Sequence, residues 1–193
     1  MGWARNYKGF TIVELLIVIV VIGILAAVVI VSYNGVIGKA EESRFLSTVD
    51  TFEKALRMYQ AKEGVNVSTD TRPDTLYFAC LGEGYPQTSQ MDEGVCYSAV
   101  PTSGAPSVIG RINTAVNNDL KGVLSTLPQV DYSVRVIPNG SSTIYIRGIM
   151  YESVINSPPA LLYIIPRDDS CGRGVKSVSE ATPGIATCTV TLP

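Results

Sequence analysis

The stretch that decides the fold runs from Phe10 to Val31 and reads FTIVELLIVIVVIGILAAVVIV. Its last 17 residues carry no polar side chain, and only Thr11 and Glu14 interrupt the rest. A membrane-spanning helix needs about 20 such residues. The 16 Ile, Leu and Val residues of the stretch favour insertion by about −5 to −9 kcal/mol, whereas one acid costs at most about 3 kcal/mol. The stretch is therefore predicted to be a membrane-inserted helix.

The nine residues ahead of this stretch contain Arg5 and Lys8 and no acid. Basic residues remain on the cytoplasmic side, so the N-terminus is expected inside and the remainder of the chain outside. An ordinary secretory signal is the alternative. Its apolar core is usually shorter and free of acids, and a small-residue cut at Ala26–Ala27 would fall inside the apolar run. These features favour a retained helix over a removed signal.

The residues KGFTIVELLIVIVVIGILAAVVIVSYNG, from Lys8 to Gly35, resemble the N-terminus of type IV pilins, pseudopilins and competence pilins. The resemblance implies that a dedicated prepilin peptidase cuts between Gly9 and Phe10 and methylates the new amine. The apolar helix is then kept, and Glu14 takes the place of the family's fifth-position glutamate. The resemblance covers about an eighth of the chain, and the remainder of pilins diverges freely.

Glu14 is an acid within an apolar helix, which is a candidate functional residue by default. It either stays hydrated near the membrane surface or pairs with the amine that cleavage exposes at Phe10. Because four helical residues rise about 6 Å, that amine is expected to come from a second, axially staggered subunit. Each subunit then offers both partners, so the contact propagates into a filament. Gly23 and Ala27 form a small-xxx-small pair that allows close helix packing, or are merely tolerated.

After the apolar run the pattern becomes amphipathic, with a 4-3-4-3 spacing that predicts one buried helix face. The residues of this face are Phe45, Val49, Phe52, Leu56 and Tyr59. The sequence thus predicts a cytoplasmic leader at residues 1–9, an apolar transmembrane and assembly helix at 10–33, and an amphipathic half of the same helix at 34–64. Residues 65–193 are predicted to form an extracellular head.

The head is predicted to follow the long helix with an antiparallel sheet, which makes the fold class α+β and type IV pilin-like, with the apolar half of the helix protruding. A hairpin is expected from DYSVRVI and STIYIRGIM around the Pro138–Gly140 turn, and further strands from ALLYIIP and ATCTVTL. Apolar spacing after Ser107 predicts a short helix that ends by Pro128. The stretch from Val65 to Ser107 is interpreted as an ordered loop.

Four cysteines, Cys80, Cys96, Cys171 and Cys188, all fall in the part expected outside the cell. Four cysteines allow three disulfide connectivities. The pairs Cys80–Cys96 and Cys171–Cys188 are favoured because each bond closes a loop of about 16 residues. Such a loop is worth roughly 3 kcal/mol in the chain-entropy model. A zinc site is the alternative, although the chain has no C-x-x-C pair and no histidine. No metal and no cofactor are predicted.

Composition argues against catalysis and nucleic-acid binding. Histidine, the commonest general acid–base group, is absent, and no nucleophile has a recognisable base. The formal net charge is −2, so no basic field supports nucleic-acid binding. The predicted function is therefore not enzymatic. The resemblance implies a structural pilin subunit of a type IV pilus-like filament, supporting adhesion, motility or DNA uptake.

The predicted partners are other pilin subunits in a homopolymer, the prepilin peptidase and methylase, and the assembly machinery. The expected location is the cytoplasmic membrane before assembly and the extracellular filament afterwards. Two alternatives remain open at this point. The chain is a minor pilin or a secretion-system pseudopilin, or it is a membrane-anchored adhesive domain that does not polymerise.

Overall fold

The computed structural model describes residues 9–67, 77–104, 107–130, 133–153, 157–166, 170–177 and 184–193, with the backbone alone at residues 30–35, 77 and 139. Residues 1–8 of the predicted leader lie outside these ranges. The chain divides into two compact units, one up to Ser43 and one from Arg44 onward. Each unit is described by itself below.

An apolar N-terminal helix is followed by a mostly antiparallel sheet, so the predicted α+β class is confirmed. The helices are α1 (Ile12–Glu63) and α2 (Thr114–Lys121). The strands in the described residues are β1 (Tyr77–Cys80), β2 (Val95–Pro101), β3 (Ser107–Ile112), β4 (Arg135–Asn139), β5 (Ser142–Ile146), β6 (Ile149–Ser153), β7 (Ala160–Pro166), β8 (Val175–Ser177) and β9 (Ile185–Thr191).

These strands form one sheet in the order β4-β5-β2-β3-β1-β6-β7-β9-β8. The β1–β3 pair is parallel, and the other described pairs are antiparallel. The predicted hairpin and the strands at 160–166 and 186–192 are confirmed, with β9 beginning at Ile185. Buried and half-buried residues alternate along β9, as expected for a strand with one face on the core.

The part of α1 that belongs to the second unit buries the predicted amphipathic face. Val49, Phe52 and Leu56 are buried, and Ala55 joins them. Phe45 meets the ring of Tyr163 on β7 edge-to-face, with 5.7 Å between the ring centroids. Since burying one such side chain stabilises by about 1.5–3 kcal/mol, this face attaches the helix firmly to the sheet.

Two predictions for the head are wrong. Residues 107–112 form strand β3 and not the start of a helix. The spacing of Ile109 and Ile112 is that of a helix face, but pairing with β1 and β2 overrides it. The helix begins only after Asn113, whose side-chain oxygen accepts hydrogen bonds from the backbone N–H groups of Ala115 at 2.8 Å and Val116 at 3.2 Å.

The interpretation of 65–107 as loop is also wrong over two segments, because it contains β1 and β2. Strand β1 has four residues, and the register of β2 shifts at its pairing with β3, so neither presents a long alternating pattern.

The predicted strand STIYIRGIM also proves to be two strands. Gly148, with φ of 71°, separates β5 from β6 in a conformation that other residues rarely adopt.

Candidate functional site

The N-terminal part of α1 is the first candidate site. The residues from Ile12 to Val29 have a mean hydropathy of 3.3, and none is buried within the structure. By length and composition this segment is able to cross a membrane. Soluble proteins rarely expose a contiguous apolar surface of this extent, which indicates that lipid or another protein surface covers the segment.

Thr11 and Glu14 form a reciprocal hydrogen-bonded box where α1 begins. The backbone N–H and the hydroxyl of Thr11 each donate to Oε2 of Glu14 at 2.8 Å. In return, the backbone N–H of Glu14 donates to the Thr11 hydroxyl oxygen at 3.2 Å. This is the arrangement of a helix capping box, in which two N–H groups that the helix leaves unbonded are satisfied by side chains. Glu14 therefore has a local role that the sequence analysis missed.

The T-x-x-E signature of Thr11 to Glu14 was available in the sequence as a signal for such a box. The hydrogen bonds that the Glu14 side chain accepts from Thr11 use the carboxylate oxygen Oε2. A carboxylate has acceptor positions on both oxygens. The box therefore fixes the side chain in one orientation and still leaves it capable of accepting a further donor.

The other predicted residues of this segment are not brought together by the structure. Gly9 and Phe10 precede α1 and are exposed. Gly23 and Ala27 are exposed on the helix, and a Cβ added at Gly23 would meet nothing within 4 Å. Contacts within the chain thus do not require glycine at position 23. The roles predicted for these four residues in processing and assembly remain predictions.

The four cysteines form two disulfides within the second unit, Cys80–Cys96 and Cys171–Cys188. These are the two pairings that the sequence favoured. Cys80 and Cys96 join β1 to β2, and Cys188 lies on β9. Because all four sulfurs are consumed, no free thiolate remains to ligate zinc.

A buried arginine organises the loop between β1 and β2. Arg147 is 1% exposed, and its guanidinium donates to the backbone carbonyls of Val95 at 2.7 Å, Pro86 at 2.6 Å and Asp92 at 2.9 Å. The same guanidinium lies 5.5 Å from the centroid of the Tyr85 ring. Charge-assisted hydrogen bonds in a dry interior are strong, so Arg147 holds this loop in one conformation.

Comparison with known protein families finds a match to the N-terminal segment. Residues 4–30 match the family model described as the prokaryotic N-terminal methylation motif. The N-terminal segment therefore carries the motif that this model describes. The match includes Gly9, Phe10, Glu14, Gly23 and Ala27, the residues on which the sequence-based resemblance rested.

Individual known proteins are also similar to this chain. The chain is 29% identical over 115 residues to a fimbrial protein of Neisseria meningitidis, covering 60% of this chain and 61% of that one. It is 33% identical over 89 residues to a type IV major fimbrial protein of Dichelobacter nodosus, covering 45% and 57%. It is 35% identical over 72 residues to the type II secretion system core protein G of Aeromonas hydrophila, covering 37% and 50%.

The chain therefore spans about half to three fifths of the length of these curated relatives. No solved structure matches the chain. The relatives are named as fimbrial and secretion-system proteins. The match to the methylation-motif model is confined to residues 4–30.

Proposed function

We propose that this chain is a structural subunit of a type IV pilus-like extracellular filament. The observation that carries the proposal is the apolar segment Ile12–Val29, in which no residue is buried and which bears one acid, Glu14, near its start. Lipid covers such a segment before assembly, and identical segments of neighbouring subunits cover it in the filament. The matches to fimbrial proteins support this reading.

In this proposal a prepilin peptidase removes residues 1–9 on the cytoplasmic side and methylates the amine of Phe10. The head, residues 65–193, lies outside the cell together with the amphipathic part of α1, and the two disulfides suit an oxidising compartment. The basic pair Arg5 and Lys8 supports the orientation with the N-terminus inside.

Glu14 then has two successive roles. In the isolated subunit its carboxylate caps α1 through Thr11. In the filament it receives the charged amine of Phe10 from the neighbouring subunit. Pairing of opposite charges in an apolar environment penalises registers in which either charge is left alone. Gly23 and Ala27 allow the packed helices to approach closely.

A secretion-system pseudopilin is the second candidate, because the protein G of Aeromonas hydrophila matches at 35% identity. Both candidates share processing and helix assembly and differ in the structure that is built. We expect the chain to be recovered from sheared cell-surface filaments as a principal component. Recovery at trace level in filaments made of another pilin would favour a minor pilin, and confinement to the cell envelope would favour the pseudopilin.

A cytoplasmic-membrane protein without a pilin-type N-terminus serves as the control for contamination of the sheared fraction. If the chain stays in the membrane fraction as a monomer, with no copy cross-linked to another through the apolar helix, the filament proposal is wrong. That result would leave an anchored, non-polymerising head.

A further inference from the structure

The turn that follows Cys171 lies against the head part of α1. A carbon added at Gly172 would lie 3.7 Å from the side chain of Leu46. A cleft of about 320 Å³ separates the two elements, with Leu46, Asp50 and Glu53 on the helix side and Cys171 and Arg173 on the turn side. Cys171 therefore lines a space that small molecules can enter, although it is only 5% exposed itself.

Arg173 ties this turn to the helix. One terminal nitrogen of its guanidinium lies 2.5 Å from Oδ1 of Asp50 and 3.2 Å from Oε2 of Glu53. The side chain of Glu53 is only 6% exposed, so its contact with Arg173 is screened less by solvent than an ordinary surface ion pair. Together the two carboxylates attach the turn to α1 by charge.

The helix itself holds both carboxylates in place. Lys54 lies 2.6 Å from Oδ2 of Asp50, and Arg57 lies 3.0 Å from Oε1 of Glu53. Hydrogen bonding from Lys54, and then from Arg173, keeps the pKa of Asp50 below its usual value. Asp50 is therefore charged at neutral pH. Lys54 and Arg57 lie on α1 itself, whereas Arg173 connects the two elements.

A second anchor fixes the turn to the sheet. The hydroxyl of Tyr163 donates to the carbonyl of Cys171 at 2.6 Å, and the backbone N–H of Gly174 donates to the same oxygen at 3.0 Å. Burial, and then the charge of Glu53, raises the pKa of Tyr163 to about 12, so the hydroxyl keeps its proton at neutral pH. The turn is thus held on two sides, by Tyr163 from the sheet and by Arg173 from the helix.

The other disulfide has a different environment. Cys80 and Cys96 are fully buried on strands β1 and β2, which lie inside the sheet order and not at its edges. Reaching their sulfurs requires the strands to separate. For Cys171–Cys188, displacement of the short turn is enough to expose Cys171, because this residue borders the cleft. The two disulfides therefore become accessible through different local opening motions.

We propose that Arg173 is a latch that holds the Cys171–Gly174 turn on α1 and so shields the Cys171–Cys188 disulfide from external dithiols. When the turn opens, a thiolate of the dithiol attacks the sulfur of Cys171 and the electron pair of the broken bond leaves on Cys188. The second thiol of the reagent then displaces Cys171, which gives two cysteine thiols and one oxidised dithiol. Reduction of Cys80–Cys96 requires unfolding of the sheet.

The test uses the full chain in detergent micelles, treated with dithiothreitol under native conditions. Thiols that appear are blocked with an alkylating reagent at intervals, and peptide mass spectrometry measures each disulfide separately. In Arg173→Gln we expect Cys171–Cys188 to be reduced about tenfold faster than in the wild type, because the contact between the turn and the helix is lost. Reduction of Cys80–Cys96 is expected to change by less than about twofold.

Lys54→Gln is the matched control. The Lys54 side chain is 64% exposed, as is that of Arg173, and it contacts the same Asp50, but it does not connect the helix to the turn. Removing Lys54 deletes the same charge near the cleft, which corrects for any electrostatic attraction of the dithiol anion. We expect this variant to reduce Cys171–Cys188 within about twofold of the wild-type rate.

Asp50→Asn, alone and combined with Arg173→Gln, completes a double-mutant cycle. If the latch exists, the double variant reduces Cys171–Cys188 little faster than Arg173→Gln alone, because the shared contact is already lost. The proposal is overturned if Arg173→Gln leaves the rate unchanged. It is also overturned if both disulfides accelerate equally, which would signify global destabilisation, or if Lys54→Gln matches Arg173→Gln.

Discussion

Replacing Glu14 by glutamine is expected to lower the amount of assembled filament about 100-fold, while membrane insertion and the start of α1 are preserved. Glutamine also serves as the third helical residue of a capping box. Its side-chain oxygen can accept the hydrogen bonds that Thr11 donates to Glu14. The charge that would receive the Phe10 amine of the next subunit is lost. An unpaired charge in an apolar bundle costs about 2.5–3.5 kcal/mol, which corresponds to roughly 100-fold in equilibrium.

Two companion variants separate the local role of Glu14 from its role between subunits. Thr11→Val removes the hydroxyl that bonds to Glu14 and keeps the charge. It is expected to retain assembly within about fivefold of wild type, since a lost cap typically costs about 1 kcal/mol. Glu14→Ala is expected to behave like Glu14→Gln. Sheared filaments and membrane-bound subunits are measured from the same cells. Normal assembly by Glu14→Gln would show that Glu14 acts only as a cap.

Arg147→Met is expected to destabilise the head by about 3–5 kcal/mol. Methionine replaces only the aliphatic stem of arginine, and the carbonyls of Pro86, Asp92 and Val95 lose their charged donor. Breaking a buried, hydrogen-bonded charge network has a cost of this size. Urea unfolding of the full chain in detergent, with both disulfides intact and followed by near-ultraviolet circular dichroism, measures the loss.

Arg111→Met is the matched control, because Arg111 is an exposed arginine on β3 and its replacement is expected to change stability by less than about 0.5 kcal/mol. Arg147→Lys keeps the positive charge but has a compact ammonium in place of the planar guanidinium, and should lie between methionine and wild type. If Arg147→Met unfolds within about 1 kcal/mol of the wild type, the carbonyls of the loop do not depend on Arg147 and the account of this loop is wrong.

The sequence was most informative where local chemistry decides the structure. The apolar segment from Ile12 to Val29 is recognisable from composition alone, and the amphipathic face that follows it has a regular helical spacing. The hairpin of β4 and β5 is signalled by the residues Pro138 to Gly140, although Pro138 and Asn139 end β4 and only Gly140 lies in the turn. Strand β9 is marked by its alternation. Local disulfide pairing was favoured by loop length. Each of these signals lies within a few residues of the element that it predicts.

Features that depend on distant partners could not be predicted. Strand β1 has only four residues, and its pairing joins Phe78 to Gly110 on one side and Glu152 on the other. The apolar spacing after Ser107 is that of a helix, and only pairing with these distant partners makes its first part a strand. The role of Arg147 in holding the loop between β1 and β2 could not be recognised, because its acceptor carbonyls lie more than 50 residues earlier in the chain. The Thr11 cap, by contrast, had a local signature.

The central claim, that the chain is processed and retained as a filament subunit, is tested most directly at its N-terminus. The measurement is mass spectrometry of the N-terminal peptide from protein isolated from the cells that make it. The account predicts a peptide that begins at Phe10 and carries a methylated amine, with Glu14 unmodified. A peptide that still begins at Met1, or one that begins beyond Ala27, would contradict it and leave an anchored or a secreted head in place of a pilin.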